Sequence, residues 1–266
     1  MMPTTTHRPV DAGTSPPEAP SPQLNVVVGA AGGLGRALVQ TLLERRPADL
    51  VLALSRSPAL PAAPRLHQAP IDLTDEASIA TAATQARALR NALAPGGIRR
   101  VIVASGLLHH ADGLRPEKSM AALDADTLAR LFAVNAIGPA LVARHFLPLM
   151  PRDAPAAFAA LSARVGSISD NRLGGWYGYR ASKAALNMLI RTLAIEWSRT
   201  AKQSVCVGLH PGTVDTGLSR PFQGNVADGR LFTPAYAAGC LIDVLDQLEP
   251  ADSGKVFAWD GSEVPA

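Results

Sequence analysis

The chain has 266 residues, of which 47% are hydrophobic and 18% charged, a composition typical of one large globular domain with room for a ligand site. Its net charge of +3 comes from scattered lysines and arginines rather than a basic run, which argues against nucleic acid as a partner. The two cysteines, Cys206 and Cys240, lack metal-ligand spacing, and we expect neither a signal peptide nor an apolar stretch of membrane-spanning length, so we predict a cytoplasmic protein without a metal site.

The first half of the chain alternates apolar runs with helical patterns. Residues 1–23 are rich in proline, threonine and serine and have little to bury, so we predict a disordered tail followed by one domain over residues 24–266. The predicted elements are a strand at 24–28, a helix at 36–45 ended by Pro47, strands at 49–54 and 65–70, a helix at 75–93 capped by Thr74, and a strand at 100–104.

The second half continues the same alternation. The predicted elements are a loop at 107–123, a helix opened by Asp124 or Asp126 and reaching Phe146, a strand at 156–161, an irregular stretch at 162–178, a helix at 179–199, a strand at 204–209, a helix at 234–248 and a strand at 255–259. This order predicts an α/β fold: a doubly wound, Rossmann-type parallel sheet with helices on both faces, in a single domain. Ligands of such sheets bind beyond the carboxyl ends of the strands, so the loops there are candidates for chemistry.

A glycine cluster follows the first strand, with Gly29, Gly33 and Gly35 in the spacing G-x-x-x-G-x-G. Glycine permits a positive φ and lets backbone approach another group, and a helix start offers unpaired N–H donors to a phosphate. The cluster therefore indicates the pyrophosphate site of a dinucleotide. A glycine-rich turn without a ligand is the alternative that this short motif leaves open.

Tyr179 and Lys183 lie four residues apart in a predicted helix, so they project from the same face. A phenol titrates near pH 10. A neighbouring ammonium, helped by the positive nicotinamide of an oxidised cofactor, stabilises the phenolate, which predicts a lowered pKa for Tyr179 and a role in acid–base catalysis. Tyr177 is a rival tyrosine, but the residue four positions after it is Ala181. An ordinary helix surface is the alternative for an isolated tyrosine and lysine.

Together these motifs resemble the single-domain short-chain dehydrogenase/reductase family over about residues 24–260. The motifs that carry the resemblance, in order, are Gly29-x-x-x-Gly33-Leu34-Gly35, Asp72 after the third strand, Asn135 in a long helix, Tyr179-x-x-x-Lys183, and Pro211-Gly212-x-Val214-x-Thr216. The stretch from Ser162 to Ile168, with the glycines and Trp176 before Tyr179, is similar to the carbonyl-reductase branch that includes the sniffer and C-factor proteins.

The resemblance implies a role for each matching residue. Tyr179 would be the general acid, Lys183 would hold the nicotinamide ribose and lower the pKa of Tyr179, and Asn135 would hold a water behind Lys183. Asp72 and the backbone of Leu73 would bind the adenine of the cofactor. The backbone of Val214 and Thr216 would hold the carboxamide of its nicotinamide. The full predicted cofactor set is Gly29, Ala31, Gly32, Gly33, Leu34, Gly35, Ser55, Arg56, Asp72, Leu73, Ser105, Gly106, Tyr179, Lys183, Pro211, Gly212, Val214 and Thr216.

Two positions depart from the family pattern. After the fourth strand, Val103-Ala104-Ser105-Gly106 stands where the family usually has Asn-Asn-Ala-Gly, so the hydrogen bonds of the usual asparagine are either missing or replaced by Ser105. After the fifth strand, the usual pair of serines reads Ser162-Ala163, which puts alanine at the position of the serine that polarises the carbonyl. We predict that Ser162 takes this role, with Ser167 as the second candidate.

The end of the second strand predicts the choice of cofactor. An acidic residue there would accept hydrogen bonds from the ribose 2′-hydroxyl, but this chain has Ser55 and Arg56, which suit a 2′-phosphate. We therefore predict NADP(H) rather than NAD(H).

The leading hypothesis is an NADPH-dependent reductase of a small-molecule carbonyl, and the alternative is a cofactor-binding signalling or regulatory protein with little turnover, which Ala163 favours. Trp176, Tyr177, His109 and His110 are candidates for the substrate mouth, with a hydrophobic lid or solvated loop histidines as the alternatives. A homodimer or homotetramer is expected because the two long helices form the dimer face in many proteins of the resembled family. The loops leave the substrate unspecified.

Overall fold

A computed structural model of the chain describes residues 21–57 and 60–265. The predicted disordered tail lies outside the described residues, except for its last three positions. The described residues therefore belong to the predicted domain and to the three positions before it.

Seven parallel strands form the central sheet, in the order β3-β2-β1-β4-β5-β6-β9. The strands are β1 Leu24–Val28, β2 Leu50–Ser55, β3 Leu66–Pro70, β4 Ile98–Val103, β5 Ala157–Leu161, β6 Val205–His210 and β9 Val256–Ala258. Val26 is the register partner of Leu52 on one side and of Val101 on the other, so the strand order reverses at β1. This reversal opens a crevice beyond the carboxyl ends of β1 and β4, where doubly wound sheets bind ligands.

Helices cover both faces of the sheet, as the alternating pattern predicted. They are α1 Gly33–Arg45, α2 Glu76–Leu93, α3 Ala125–Phe132, α4 Gly138–Phe146, α5 Tyr177–Trp197 and α6 Pro234–Gln247. Successive residues of β1 alternate between two cores: Val26 and Val28 pack with α2, α4 and α5, whereas Val27 packs with α1 and α6. Complete burial of such a side chain stabilises the fold by about 1.5–3 kcal/mol. The prediction of a doubly wound Rossmann-type fold is confirmed.

Two helix starts differ in detail from their predictions. Asp75, not Thr74, caps α2, because its carboxylate accepts the Ala77 N–H at 2.9 Å. The second difference is the start of α5, which lies at Tyr177 and not at Tyr179. Tyr179 is therefore in the first turn of its helix, close to the loop that precedes it.

The long helix before β5 contains an irregularity that its periodicity did not reveal. A π-turn at Ala133–Ile137 joins α3 to α4, so the helical run continues with one extra residue in that turn. Such turns shift the side chains that follow and are frequent at functional sites. Here the π-turn contains Asn135.

The same helical run corrects our expectation about membrane-spanning stretches. Residues Ala125–Leu149 form a 25-residue run that contains an 18-residue window with a mean hydropathy of 1.2, long and apolar enough for a span, and 44% of that window is buried inside the protein. Its Val142 and Phe146 are completely buried in the core beside the sheet. The apolar side chains of this run therefore pack against α2 and α5.

A small second sheet was also not predicted. β7, Thr213–Val214, pairs in parallel with β8, Leu231–Phe232, across a loop that contains a short 3₁₀ turn at Arg220–Asn225. Two-residue strands carry too little periodicity to be identified from sequence. The pair anchors both ends of the loop that follows β6.

Candidate active site

The glycine cluster lies at the reversal of strand order and touches the loops after two other strands. Gly29 has φ +88°, and a Cβ there would lie 2.5 Å from Ser105 Oγ in the loop after β4. A Cβ on Gly33 would lie 2.8 Å from Thr216 Cγ2 in the loop after β6. A Cβ on Gly35 would lie only 2.2 Å from the Gly29 carbonyl oxygen, so α1 packs directly on its own turn.

The start of α1 is open in the way an anion site requires. Its N-cap, Gly32, has no side chain, and its first turn contains no acidic residue, so no side chain occupies the first N–H donors. Ala31, Gly32 and Gly33 are exposed, whereas Leu34 is buried and anchors the turn. The positive end of the helix dipole reinforces the donors, so the residues present fit a pyrophosphate.

The carboxyl ends of β2 and β3 bring Arg56 close to Asp72. Hydrogen bonds from the Thr74 backbone and hydroxyl, at 2.9 and 2.7 Å, lower the pKa of Asp72, with the charge of Arg56 as a smaller cause. Ser55 is buried and donates its hydroxyl to the Ser57 carbonyl at 3.0 Å, while Arg56 is exposed. Arg56 is thus the exposed cation at this end of the crevice, and Leu73 is buried beneath it in the core.

Tyr179 and Lys183 are both buried on α5, with 7% and 2% of their surfaces exposed. The Lys183 Nζ lies 5.7 Å from the centroid of the Tyr179 ring and donates to the Leu161 carbonyl at 2.7 Å. The predicted pairing of the two side chains is therefore present, with the lysine held against the end of β5.

Burial dominates the titration of this pair. It lowers the pKa of Lys183 to about 7 and raises the pKa of Tyr179 to about 12, because the interior disfavours both the ammonium and the phenolate. In the protein chain alone, burial raises the pKa of Tyr179, whereas the predicted lowering includes the positive nicotinamide of an oxidised cofactor and stays a prediction. The neutral lysine and the protonated phenol are the favoured forms of the buried pair near pH 8.

Asn135 is completely buried and joins the loop after β4 to α5. Its Nδ2 donates to the Leu107 carbonyl at 2.8 Å and to Ser182 Oγ at 3.1 Å, and its Oδ1 accepts the Leu107 N–H at 2.8 Å. A Cβ on Gly106 would lie 3.7 Å from Asn135 Oδ1 and 3.8 Å from Lys183 Nζ. The π-turn thus places the amide beside the lysine, while its bonds go to the surrounding protein.

Ser162 follows β5, as predicted, but its hydroxyl is already engaged. It donates to Asn187 Oδ1 at 2.6 Å, and Asn187 lies one helical turn after Lys183. Ala163, at the position of the usual serine, begins the 3₁₀ turn Arg164–Gly166. Ser167 is also buried, and its hydroxyl accepts the Asp170 N–H at 3.1 Å. To donate to a carbonyl, Ser162 would have to release Asn187.

The Pro211–Thr216 segment is shaped by an aromatic cluster. Gly212 has φ +75°, and a Cβ there would lie 2.6 Å from the Phe232 ring and 3.1 Å from that of Trp259. Val214 is buried in β7, which directs the following Thr216 onto Gly33. The segment and the glycine cluster therefore form one continuous edge.

The substrate-mouth candidates meet a residue that was not predicted. The Trp176 and Phe222 rings lie 4.9 Å apart, and the His109 ring lies 5.7 Å from Phe222. His109 Nε2 also contacts the Gly217 carbonyl at 3.0 Å. No sequence signal marks Phe222, because it lies in the 3₁₀ turn between two strands that periodicity does not identify.

The other two mouth candidates lie differently. Tyr177 is 40% exposed, and His110 pairs with Asp112 at 3.1 Å. Among residues 21–57 and 60–265, no group of three or more His, Cys, Asp and Glu side chains is placed to hold a metal ion.

Comparison with known proteins identifies the family. The sequence model of the family described as short chain dehydrogenase matches residues 23–226. The chain therefore belongs to the short chain dehydrogenases, a family of oxidoreductases, and the resemblance inferred from its motifs is confirmed.

Individual relatives agree with this membership. The chain is 38% identical to the C-signal protein of Myxococcus xanthus over 143 residues, 54% of this chain and 81% of that protein. It is 30% identical to 1-hydroxy-2-glutathionyl-2-methyl-3-butene dehydrogenase of Rhodococcus sp. over 89% of this chain and 96% of that enzyme. Among solved structures, NADPH-bound carbonyl reductase from chicken fatty liver is 28% identical, with a TM-score of 0.77 over 92% of this chain and all of that one.

Proposed function

We propose that this protein reduces an aldehyde or ketone to an alcohol with NADPH, using Tyr179 as the general acid. The observation that carries the proposal is the buried Tyr179–Lys183 pair beside Gly106 and Asn135, at the carboxyl ends of the strands that flank the crevice. The similarity to an NADPH-bound carbonyl reductase supports it. When bound, the cofactor supplies a hydride to the carbonyl carbon.

The chain's own residues would manage the proton. Tyr179 holds its proton firmly at neutral pH, because burial raises its pKa, and can donate it to an oxygen that develops negative charge. Lys183 has a pKa near 7 and can take up and pass on a proton in the same range. Asn135 fixes the loop after β4 beside Lys183, and its predicted hold on a water remains part of the proposal.

Ser162 remains our proposed donor to the carbonyl oxygen, with Ser167 second. The 2.6 Å bond to Asn187 opposes this role, since a hydroxyl has one hydrogen to donate. Substrate binding would have to draw the hydroxyl away from Asn187. Ser162→Ala should lower kcat with little effect on NADPH affinity. An unchanged kcat would show that Ser162 does not donate to the carbonyl oxygen and would leave Ser167 as the candidate.

For the cofactor, we propose NADP(H) over NAD(H). The open start of α1, with Gly29, Gly33 and Gly35 behind it, would hold the pyrophosphate, and Ser105 and Gly106 would border it. Arg56 would pair with the 2′-phosphate and Ser55 would shape its loop, while Asp72 and Leu73 would border the adenine. Pro211, Gly212, Val214 and Thr216 would line the nicotinamide end.

The Arg56 assignment gives a direct prediction about cofactor preference. Arg56→Ala should raise the KM for NADPH about tenfold, the scale of one lost charged contact, and leave the KM for NADH nearly unchanged. Steady-state kinetics with both cofactors measure this, and Arg87→Ala, an exposed arginine on α2, is the matched control. Equal effects on the two cofactors would contradict the assignment.

The experiment that tests the function itself is NADPH consumption by the purified protein across a panel of aldehydes and ketones. Turnover of at least one carbonyl class, with the alcohol as product, is the expected result. Measurable NADPH binding without consumption across the panel would contradict it.

That second result would favour our alternative, a regulatory protein on the same scaffold with little turnover. Two observations support it: Ala163 stands where the family usually has a serine, and the C-signal protein is among the relatives.

We further propose a cytoplasmic homodimer or homotetramer. Both cysteines are free thiols, which fits a reducing compartment. Ile137 at the end of the π-turn and Met188 and Ile195 on α5 expose 51%, 67% and 49% of their surfaces, which fits a face covered by another copy. This assignment rests on exposure and on what is expected of the family.

A further inference from the structure

Glu117 is a buried carboxylate that no part of the proposed mechanism uses. Only 3% of its surface is exposed, although it lies in the long loop after β4. Its Oε2 accepts the Gly178 N–H at 3.2 Å, and its backbone carbonyl accepts the Trp176 N–H at 2.5 Å. Its Oε1 is buried without a hydrogen-bond partner. Burying a charge in this way is costly, so the bonds it makes are of interest.

Both bonds go to the start of the helix that carries Tyr179. α5 has no acidic residue in its first turn and no side-chain cap of its own. Glu117 supplies both from 61 positions away, since a carboxylate at a helix start satisfies free N–H donors and opposes the positive end of the dipole. The Gly178 position is filled tightly: a Cβ there would lie 2.6 Å from Leu131 and 2.8 Å from Glu117 Oε1.

Trp176, which Glu117 also holds, has a strained backbone. Its φ of 52° and ψ of 42° are left-handed, and it is the one non-glycine residue with positive φ among residues 21–57 and 60–265. It continues a left-handed run that begins at Gly174 and Gly175, with φ of 62° and 64°. Backbone strain of this kind at a residue with a bulky side chain persists only where surrounding contacts impose it, and it is concentrated at functional sites.

The strained turn puts the Trp176 ring beside the catalytic candidate. Its centroid lies 6.2 Å from the Tyr179 ring and 4.9 Å from Phe222, in edge-to-face geometry with both. A capping role explains why Glu117 bonds Gly178. The capping role does not explain why position 176 is a tryptophan, since a glycine there would adopt the positive φ without strain.

We propose that Glu117 is a positioning residue that imposes the left-handed turn at Trp176, so that Trp176 and Phe222 form an aromatic wall beside Tyr179 for a ring-bearing carbonyl substrate. This inference rests on the proposed carbonyl reduction and names its substrate class: an aldehyde or ketone with a planar apolar group next to the carbonyl carbon. Edge-to-face contacts and burial of the ring would supply the selectivity.

The clamp itself is tested without turnover. Hydrogen–deuterium exchange of the Gly178 amide should be at least tenfold faster in Glu117→Ala than in the unaltered protein, because its carboxylate acceptor is lost. The Trp176 amide keeps the backbone carbonyl of residue 117 as its acceptor and should accelerate less. Glu117→Gln keeps one oxygen for Gly178 and should keep most of the protection. Glu196→Ala removes an exposed carboxylate elsewhere on α5 and should leave both amides unchanged.

The selectivity is tested with a pair of aldehydes of equal carbon number, one aromatic and one straight-chain. Glu117→Ala and Trp176→Gly should each raise the KM for the aromatic aldehyde about tenfold relative to the aliphatic one, with the NADPH Kd unchanged. Because both act through one wall, the double variant should be no worse than either single variant. Glu117→Gln should restore the preference.

Each outcome decides a separate claim. Unchanged amide exchange in Glu117→Ala would overturn the clamp, and equal KM changes for the two aldehydes would overturn the aromatic wall. If Glu117→Ala does not fold, Trp176→Gly carries the selectivity comparison, and Gly178 amide exchange in Glu117→Leu, whose side chain has no acceptor, carries the test of the clamp. If the unaltered protein consumes no NADPH with any carbonyl, the proposed function and the aromatic wall fall together, and the exchange data alone judge the clamp.

Discussion

Burial lowers the pKa of Lys183, so this side chain is protonated differently in the folded and the unfolded chain. Its pKa falls to about 7 in the fold against 10.5 for the free side chain, so between these values the unfolded chain binds a proton that the folded chain does not. Unfolding free energy therefore rises with pH in this window, by at most about 1.4 kcal/mol per pH unit for one proton. Tyr179 acts in the opposite direction only above about pH 10, where the unfolded phenol ionises first.

Lys183→Met should remove this dependence and stabilise the protein at pH 7.5, since the buried ammonium no longer has to lose its proton on folding. Denaturant unfolding of both proteins between pH 7.5 and 9.5 measures the difference, with Lys202→Met, an exposed lysine just beyond α5, as the control. Parallel pH profiles for the Lys183 variant and the unaltered protein would show that Lys183 does not titrate in this range.

At this scale the sequence predicted which residues would meet, but not what each of them contacts. The i, i+4 spacing of Tyr179 and Lys183 was enough, because a helix imposes it. The bond from Ser162 to Asn187 and the clamp by Glu117 join segments far apart in the chain, and no local pattern encodes such pairs. The rise in the Tyr179 pKa within the protein chain alone was not predicted for the same reason, because burial depends on tertiary packing.

The turn between β1 and α1 is the element on which the proposed cofactor site depends. Gly35→Ala would place a Cβ 2.2 Å from the rigid Gly29 carbonyl, so α1 must move away from the turn. We expect a loss of about 1–3 kcal/mol in unfolding free energy and a clear weakening of NADPH binding. Gly217→Ala, with no atom within 4 Å of the new Cβ, should change neither.

Thermal unfolding and NADPH titration by fluorescence measure both quantities for the two variants. A Gly35→Ala protein that binds NADPH normally would contradict the role of this turn. Strand and helix positions were predictable here because apolar runs and helical periodicity are long. The π-turn at Ala133–Ile137 and the two-residue strands β7 and β8 were not, since they alter the pattern by one residue or span too few.

A polar network joins the amino ends of β1 and β4 to α6, at the opposite ends of the strands from the proposed chemistry. Arg100 is 3% exposed, donates to Asn25 Oδ1 at 3.0 Å and pairs with Asp246 on α6, while Asn25 donates to Asp49 at 3.1 Å. Without Arg100, the buried Asn25 Oδ1 loses its donor, whereas Asp246 is 27% exposed and keeps Arg46 as a partner, so we expect a cost of about 1–3 kcal/mol. Sequence placed Arg100 in a strand but could not reveal this network, because its directly paired residues Arg100 and Asp246 are 146 positions apart.

Arg100→Ala should therefore lower the unfolding free energy by roughly that amount. The KM for NADPH should stay near its original value, because the network lies at the amino ends of the strands and the glycine turn lies at the carboxyl end of β1. Denaturant unfolding and cofactor kinetics on the same preparation measure the two effects. Arg99→Ala, the adjacent and less buried arginine of β4, is the matched comparison. A large change in KM without a loss of stability would contradict a purely structural role.

The central claim is that Tyr179 donates the proton in a hydride transfer, and one substitution tests it most directly. The measurement is NADPH consumption with a carbonyl that the unaltered protein reduces, for that protein and for Tyr179→Phe, alongside the Kd for NADPH. We predict that kcat falls by a factor of about 10²–10⁴ while the Kd stays within a few-fold, because only the phenolic hydroxyl is removed. Unchanged turnover in Tyr179→Phe would contradict the account.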